Sequence, residues 1–284
     1  MKNRDIHLLI ILFLVGITFF IFKPKIGFTN TIEVPLITKS EILNPIYNRF
    51  KSRFKKVDKG GNLSGIDAVY VITMPQRKKY ITEQIEKLGI NAIYLDAITP
   101  SDIKAQEYNT LTLINDPTSR IYLKYTRFAV LLSFIMCLMD SLVNGYSTIV
   151  IFEDDISTLV DSRLLNESTQ EFKNNKQLDV FYMGYCYLQN CKQSTVQYKN
   201  LFKLSNPDLL CGHSMCLKRS VIPEMIDYCF PMTTNSDEMF RDFYKANGIN
   251  VCVPKQVYFT QNRETNGSLN DSNDNDILFK TCQF

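Results

Sequence analysis

S-T-I-V-I-F-E-D-D, residues 147–155, sets four apolar residues, Ile149 to Phe152, directly against three carboxylates. A continuous apolar run of this length is the pattern of a strand buried on both faces, and the abrupt change to charge marks its end. In open α/β sheets ligands bind at the carboxyl ends of the strands, so acids here stand where a site is expected. Side chains two apart in an extended segment point the same way, so Glu153 and Asp155 can converge on one ion while Asp154 turns elsewhere. Two convergent carboxylates suit a hard divalent cation that keeps positions open for phosphate oxygens. The other reading of the same residues is a solvated strand end whose acids cap a helix starting near Thr158.

On the N-terminal side, D-A-V-Y-V-I-T (67–73) is a second buried-strand run. M-P-Q-R-K-K-Y follows, then a helical stripe of Ile81, Ile85 and Leu88 that Gly89 stops. Ala92 to Leu95 reads as a strand ending on Asp96. Strand, helix, strand argues for a parallel pair with a right-handed crossover. Neither G-x-G-x-x-G nor G-K-[ST] occurs, so a dinucleotide fold and a P-loop have no support. Pro100 to Arg120 reads as polar loop. Tyr122 to Asn144 is apolar nearly all round, which predicts a helix buried between layers, too short and too interrupted at Arg127 and Asp140 to prefer a membrane.

On the C-terminal side a helix is expected from Leu159 toward Lys173 and a strand over Leu178 to Met183, before Gly184. C-G-H-S-M-C-L-K-R-S (211–220) leads toward a helix near Val221 to Tyr228. N-S-D-E-M-F starts another helix with Asn235 or Ser236 as its cap, and I-N-V-C-V-P is a late strand. The Asn- and Asp-rich tail after Gln261 is expected to be mobile.

The 284 residues, 45% hydrophobic and 21% charged, suit one sizeable domain with an appendage. Leu8 to Phe22 carries no charge and is at the short end of a membrane span. Bulky Phe22 and Lys23-Pro24-Lys25 replace the small residues of a cleavage site, which favours an uncleaved anchor over a cleaved signal. Lysines flank the span on both sides, so orientation stays open, with a lumenal or extracytoplasmic domain favoured. Residues 23–65, with Pro24, Pro35, Pro45 and a Gly-Gly pair, are expected to be a stem, leaving 66–284 as the domain.

The stem is basic. Residues 23–59 hold nine Lys and Arg against three acids, residues 1–22 add one net positive charge, and the whole chain is +3, leaving about −4 for 60–284. A basic footprint on the domain is thus missing, and nucleic-acid binding loses its main support. The run R-F-K-S-R-F-K-K-V-D-K (49–59) is either a solvated spacer or a segment resting on a membrane through Phe50 and Phe54.

Eight cysteines include two pairs of equal spacing, Cys186 with Cys191 and Cys211 with Cys216. Buried free thiols are favoured over disulfides, and no C-x-x-C supports zinc.

With these pieces in order, the chain resembles glycosyltransferase family 25 over roughly Ala68 to Ser268. Y-V-I-T-M-P-Q-R-K-K-Y is similar to the family's first strand and Arg-containing turn, and Y-L-D-A to its second strand end. I-V-I-F-E-D-D-I resembles its Glu-Asp-Asp metal motif. L-D-V-F-Y-M-G, C-G-H-S-M-C-L-K-R-S, N-S-D-E-M-F and V-P-K-Q-V-Y-F-T-Q follow in the family's order.

The resemblance implies an α/β, GT-A-like single domain with a mostly parallel central sheet, a UDP-sugar donor, manganese or another divalent cation, and inversion at the sugar carbon. Carried over by position, Thr73 and Arg77 would lie near the nucleotide and Asp96 near its base or ribose, with Asp154 a further donor-side residue. Glu153 and Asp155 would hold the metal. His213 is either a third ligand or a hydrogen-bonded histidine close by. Inversion in one displacement needs a base, for which Asp237 is the candidate and Glu238 the second. A helix N-terminal acid balancing the dipole is the other reading of Asp237.

The family usually has an acidic residue and then Ser-His in the buried helix, where this chain has Arg127 and Ser133-Phe134. The expected activity is membrane-anchored transfer of galactose or glucose from a UDP-sugar to a glycan or glycoprotein. The alternative is an inactive sugar-binding or structural membrane protein that kept the fold.

Overall fold

The computed structural model describes residues 39–113, 125–185, 187–188 and 196–262. Helix α1 (Ser40–Phe50) and a 3-10 turn (Lys51–Arg53) lead into strand β1 (Phe54–Val57). Strand β2 (Ala68–Thr73), α2 (Lys78–Leu88) and β3 (Ala92–Asp96) follow, then α3 (Ala105–Leu111) and the long α4 (Tyr125–Val143). The acidic strand is β4 (Thr148–Glu153), succeeded by β5 (Ile156–Thr158), α5 (Ser162–Asn174) and β6 (Val180–Gly184). Four short strands come next, β7 (Tyr187–Leu188), β8 (Val196–Gln197), β9 (Leu201–Lys203) and β10 (Leu209–Leu210). The chain continues through β11 (Ser214–Lys218), α6 (Ile222–Tyr228), α7 (Ser236–Ala246), β12 (Val251–Pro254) and β13 (Phe259–Gln261).

Nine strands form one sheet in the order β1-β3-β2-β4-β11-β6-β12-β9-β8. β3, β2 and β4 pair in parallel, as do β6 and β12, while the other pairings are antiparallel. The sheet is therefore mixed, which corrects the expectation of a mostly parallel one. β11 inserts between β4 and β6 and runs against both. A short apolar run carries no sign of its direction, because that is set by the partner across the ladder. The arrangement brings the carboxyl ends of β2, β3, β4, β6 and β12 to one edge, and β11 starts there.

Helices cover both faces. On one, α1, α4, α6 and α7 pack against Tyr70, Ile151, Tyr182, Met215 and Val253. On the other, α2 and α5 pack against Val71, Val150, Phe152, Phe181 and Cys252. Helix α4 is long and apolar enough to cross a membrane, but 78% of that window is buried within the fold, as its all-round apolar pattern requires. Gly89 ends α2 in the left-handed region (φ 64°), where the absence of a Cβ removes the steric penalty.

Residues 40–57, expected to be stem, belong to the sheet and its covering layer. Leu43, Ile46, Tyr47 and Phe50 recur at helical spacing and are buried against α4. β1 extends the sheet beside β3, and Phe54 meets Tyr70 edge to face at 5.8 Å. The basic run is accordingly not a free spacer: Arg49 pairs with Glu107 at 2.6 Å and Arg53 with Asp102 at 2.5 Å, and Phe50 is buried in the core. Pro45 inside α1 hid the helix in the sequence. Ala105–Leu111 is helical where loop was expected. The expected anchor and the tail beyond Asn262 lie outside the described residues.

Cys137, Cys216, Cys229 and Cys252 are buried free thiols, whereas Cys211 is disulfide-bonded. For Cys211 this corrects the favoured reading, since equal spacing carries no information about three-dimensional pairing.

Candidate active site

The edge where the parallel strands end gathers most of the acids singled out from sequence. Glu153 closes β4, and its N–H donates to the carbonyl of His213 at 3.0 Å, one residue before β11 begins. Because Phe152 packs on Phe259 on the α2 and α5 side, Glu153 faces the opposite layer, that of α4 and α7. Burial, then the neighbouring charges of Asp155, Asp237 and Asp154, push the Glu153 carboxyl well above its usual range, against the pull of Arg77. Four carboxylates from β4, its following turn and α7 thus act on one another.

Asp154 turns away from Glu153, as strand alternation required. It is buried, accepting from the Met74 N–H at 2.7 Å and from Nη1 of Arg77 at 3.0 Å. The same Nη1 lies 4.0 Å from Asp155. Arg77 and Asp154 therefore engage each other and tie the end of β2 to the end of β4. Thr73 is buried and donates to the Met74 carbonyl at 3.1 Å. Asp96 ends β3 between two lysines, Lys55 at 2.7 Å and Lys78 at 3.5 Å. Partial burial works against its charge, but the Lys55 hydrogen bond and the Lys78 charge hold its carboxyl below the usual range.

Helix α7 presents its first turn to this edge. Asn235 is the cap, accepting from the Glu238 N–H at 3.2 Å. Glu238 takes a hydrogen bond from Thr234, which folds it back over the helix start. Asp237 is left to reach outward and accepts from the Gly212 N–H at 2.9 Å. Of the two candidate bases, Asp237 is the one among the acids of the edge.

His213 is 1% exposed and donates from Nε2 to the Phe259 carbonyl at 3.2 Å, which engages that nitrogen with the backbone. Among the described residues no three His, Cys, Asp or Glu side chains stand close enough to enclose a metal ion. Ser133 bonds the Ile98 N–H at 3.0 Å and the Ala129 carbonyl at 2.9 Å. Phe134 fills the core edge-to-face on Phe240 at 5.6 Å, so the departure in this helix is accommodated by packing. Arg127 is half-buried.

Four contributors escaped the sequence reading. Gln261 reaches Oε2 of Glu153 at 3.5 Å, and the Asn262 N–H donates to the Asp155 carbonyl at 2.6 Å, so β13 clamps the acidic turn. Gly184 leaves room for that clamp: a Cβ there would lie 2.3 Å from the Phe259 carbonyl oxygen and 2.4 Å from Nε2 of His213. The Gly212 amide holds Asp237. The only visible signals were a glycine ending an apolar run and the Gln closing V-Y-F-T-Q.

The family model for glycosyltransferase family 25 (LPS biosynthesis protein) matches residues 67–239, more than half of the chain, a span that includes Asp96, Glu153, Asp154, Asp155 and Asp237. The chain belongs to glycosyltransferase family 25. It is thus a glycosyltransferase, with a mixed α/β fold around a large central sheet. No curated protein matches this glycosyltransferase. Solved structures it resembles include A197 from STIV, 15% identical over 66% of this chain and 80% of that one at a TM-score of 0.37. UDP-glucose pyrophosphorylase complexed with UDP-glucose is 10% identical over 69% and 91%, with a TM-score of 0.36. Mouse xyloside xylosyltransferase 1 in its apo form is 11% identical over 74% and 78%, at 0.32. All three are loose likenesses.

Proposed function

We propose that this glycosyltransferase is membrane-anchored and inverting, and moves galactose or glucose from a UDP-sugar to a hydroxyl of a glycan or glycoprotein with the help of manganese or another divalent cation. The observation that supports the reading is that the charges of Asp155 and Asp237 both act on the Glu153 carboxyl at the carboxyl edge of the sheet, in a chain of this family.

The donor set fits a hard cation. Glu153 and Asp155 offer carboxylate oxygens, and a cation held by them would offset both the burial and the Asp155 charge that push the Glu153 carboxyl up. Two protein ligands leave positions open for diphosphate oxygens, and a cation there would offset the charge that develops on the leaving diphosphate. Asp96 would meet the nucleoside. Arg77 and Asp154 brace the turn from beneath.

For transfer, the acceptor oxygen forms a bond to the anomeric carbon while the bond from that carbon to the diphosphate oxygen breaks, and UDP leaves with the electron pair. The acceptor proton goes to Asp237, whose carboxylate the Gly212 amide holds in place. One displacement inverts the anomeric centre. The Cys211 disulfide supports an oxidising compartment for the domain, and the uncharged run at Leu8 to Phe22 supports an anchor.

The test is to incubate the full-length, detergent-solubilised protein with manganese and a panel of nucleotide sugars and to measure UDP release. Release from UDP-galactose or UDP-glucose that a chelator abolishes is expected. Equal donor binding in chelator and in manganese contradicts the metal role, and release from no donor contradicts the reaction.

A further inference from the structure

One strand beyond β11, the chain leaves the sheet through Gly184 and Tyr185. Ser214, the first residue of β11, is registered opposite Phe152 of β4 on one side and Gly184 of β6 on the other. Glu153 and Tyr185 are therefore each one step past the same rung, on two strands that run in the same direction. Adjacent strands lie about 4.8 Å apart, which puts these two positions on the order of 10 Å from each other across β11. Tyr185 packs with the core on the α4 and α7 face, the face to which Glu153 turns.

Tyr185 is 3% exposed, and its hydroxyl has no hydrogen-bond partner among the described residues. Its neighbour in the same layer behaves differently: the Tyr182 hydroxyl donates to that of Tyr244 at 3.4 Å. Buried tyrosine hydroxyls find partners as a rule, so an enclosed one with none, on the face to which Glu153 turns, points to a partner supplied by a ligand. Burial pushes the phenol up to about 12, so the group stays neutral and able both to donate and to accept. A neutral phenol on an apolar wall suits a neutral hydroxyl rather than a phosphate or a cation, which the neighbouring acids and lysines would claim.

We propose that the Tyr185 hydroxyl is a sugar-recognition group, hydrogen-bonding a hydroxyl of a hexose seated between it and the acidic pair. The proposal rests on the UDP-hexose reading above and adds to it the residue that reads the sugar. A site built to bond a hydroxyl discriminates strongly against ligands that lack it, so Tyr185 contributes to the choice of hexose.

Tyr185→Phe in the full-length protein tests this. Dissociation constants for UDP, UDP-galactose and UDP-glucose are measured with manganese by calorimetry, beside KM and kcat for donor and acceptor. The expected result is an unchanged constant for UDP and one about tenfold weaker for the preferred UDP-hexose. Thermal stability should hold or rise, because no bond to a described residue is lost. A higher KM for a hexose acceptor with donor affinity intact also supports the contact and assigns the hexose to the acceptor. Unchanged constants for every sugar overturn it, as does a loss of thermal stability that reveals a partner within the protein. If the unaltered protein binds no UDP-hexose, the functional reading fails first and the proposal with it.

Discussion

The backbone N–H of Gly212 donates to Oδ1 of Asp237 at 2.9 Å, joining groups 25 residues apart in the chain. That bond ties the turn before β11 to the first turn of α7 and keeps the Asp237 carboxylate at the sheet edge. The helix start has its own cap in Asn235, so Asp237 is not needed there. Cys211, which precedes this amide, takes a left-handed backbone conformation (φ 70°) and is disulfide-bonded.

Glu238 is occupied by Thr234 and by its place in the cap. Glu238→Gln keeps that geometry, and turnover should stay within about twofold of the unaltered enzyme, since surface changes of this kind shift energies by less than about 0.5 kcal/mol. A hundredfold loss in steady-state turnover would move the base from Asp237 to Glu238.

Arg77 and Asp154 form a buried pair, their side chains 8% and 10% exposed. Arg77→Met leaves Asp154 uncompensated, and urea unfolding should show a loss of about 3–5 kcal/mol. Unchanged stability with lost donor affinity would instead return Arg77 to the nucleotide.

Asp140 is buried in α4 and accepts from Tyr47 at 2.8 Å and Tyr70 at 2.6 Å, which links α4 to α1 and β2. Tyr70→Phe removes one donor without changing shape, and should cost about 1–3 kcal/mol in an unfolding titration. No loss would show that Tyr47 and Asn144 satisfy the carboxyl alone.

Much of this framework was legible. The buried runs at 68–73 and 148–153, the all-round apolar α4, the Gly89 stop and the Asn235 cap each follow from local chemistry. The alternation that separates Glu153 from Asp154 was also readable, because it is a property of two neighbouring residues. Strand direction was not, because β11 carries no mark of lying antiparallel between β4 and β6. Nor were the bonds from Gln261 and Gly212 to the acids, each of which spans a long stretch of chain. α1 was missed because proline and basic residues interrupt the stripe of Leu43, Ile46, Tyr47 and Phe50.

Arg53 hydrogen-bonds Asp102 and, although burial opposes it, holds its carboxyl down to about 2, with help from the N–H and hydroxyl of Thr99. A carboxyl lowered in the folded state adds stability that is complete above its ordinary value of 3.8 and is lost as pH falls through about 2. Asp102→Asn should therefore lower the melting temperature at neutral pH and flatten its fall between those two values. An identical acid profile would mean that the ion pair adds nothing.

Donor affinity beside turnover, measured for Asp237→Asn and Asp155→Asn at saturating manganese, tests the proposed chemistry most directly. The account predicts that Asp237→Asn lowers turnover by roughly a hundredfold or more with donor affinity nearly unchanged, because only the proton acceptor is removed. Asp155→Asn should weaken metal and donor together. Intact turnover in Asp237→Asn, or loss of donor and metal binding as severe as in Asp155→Asn, would contradict the assignment of Asp237 as the base.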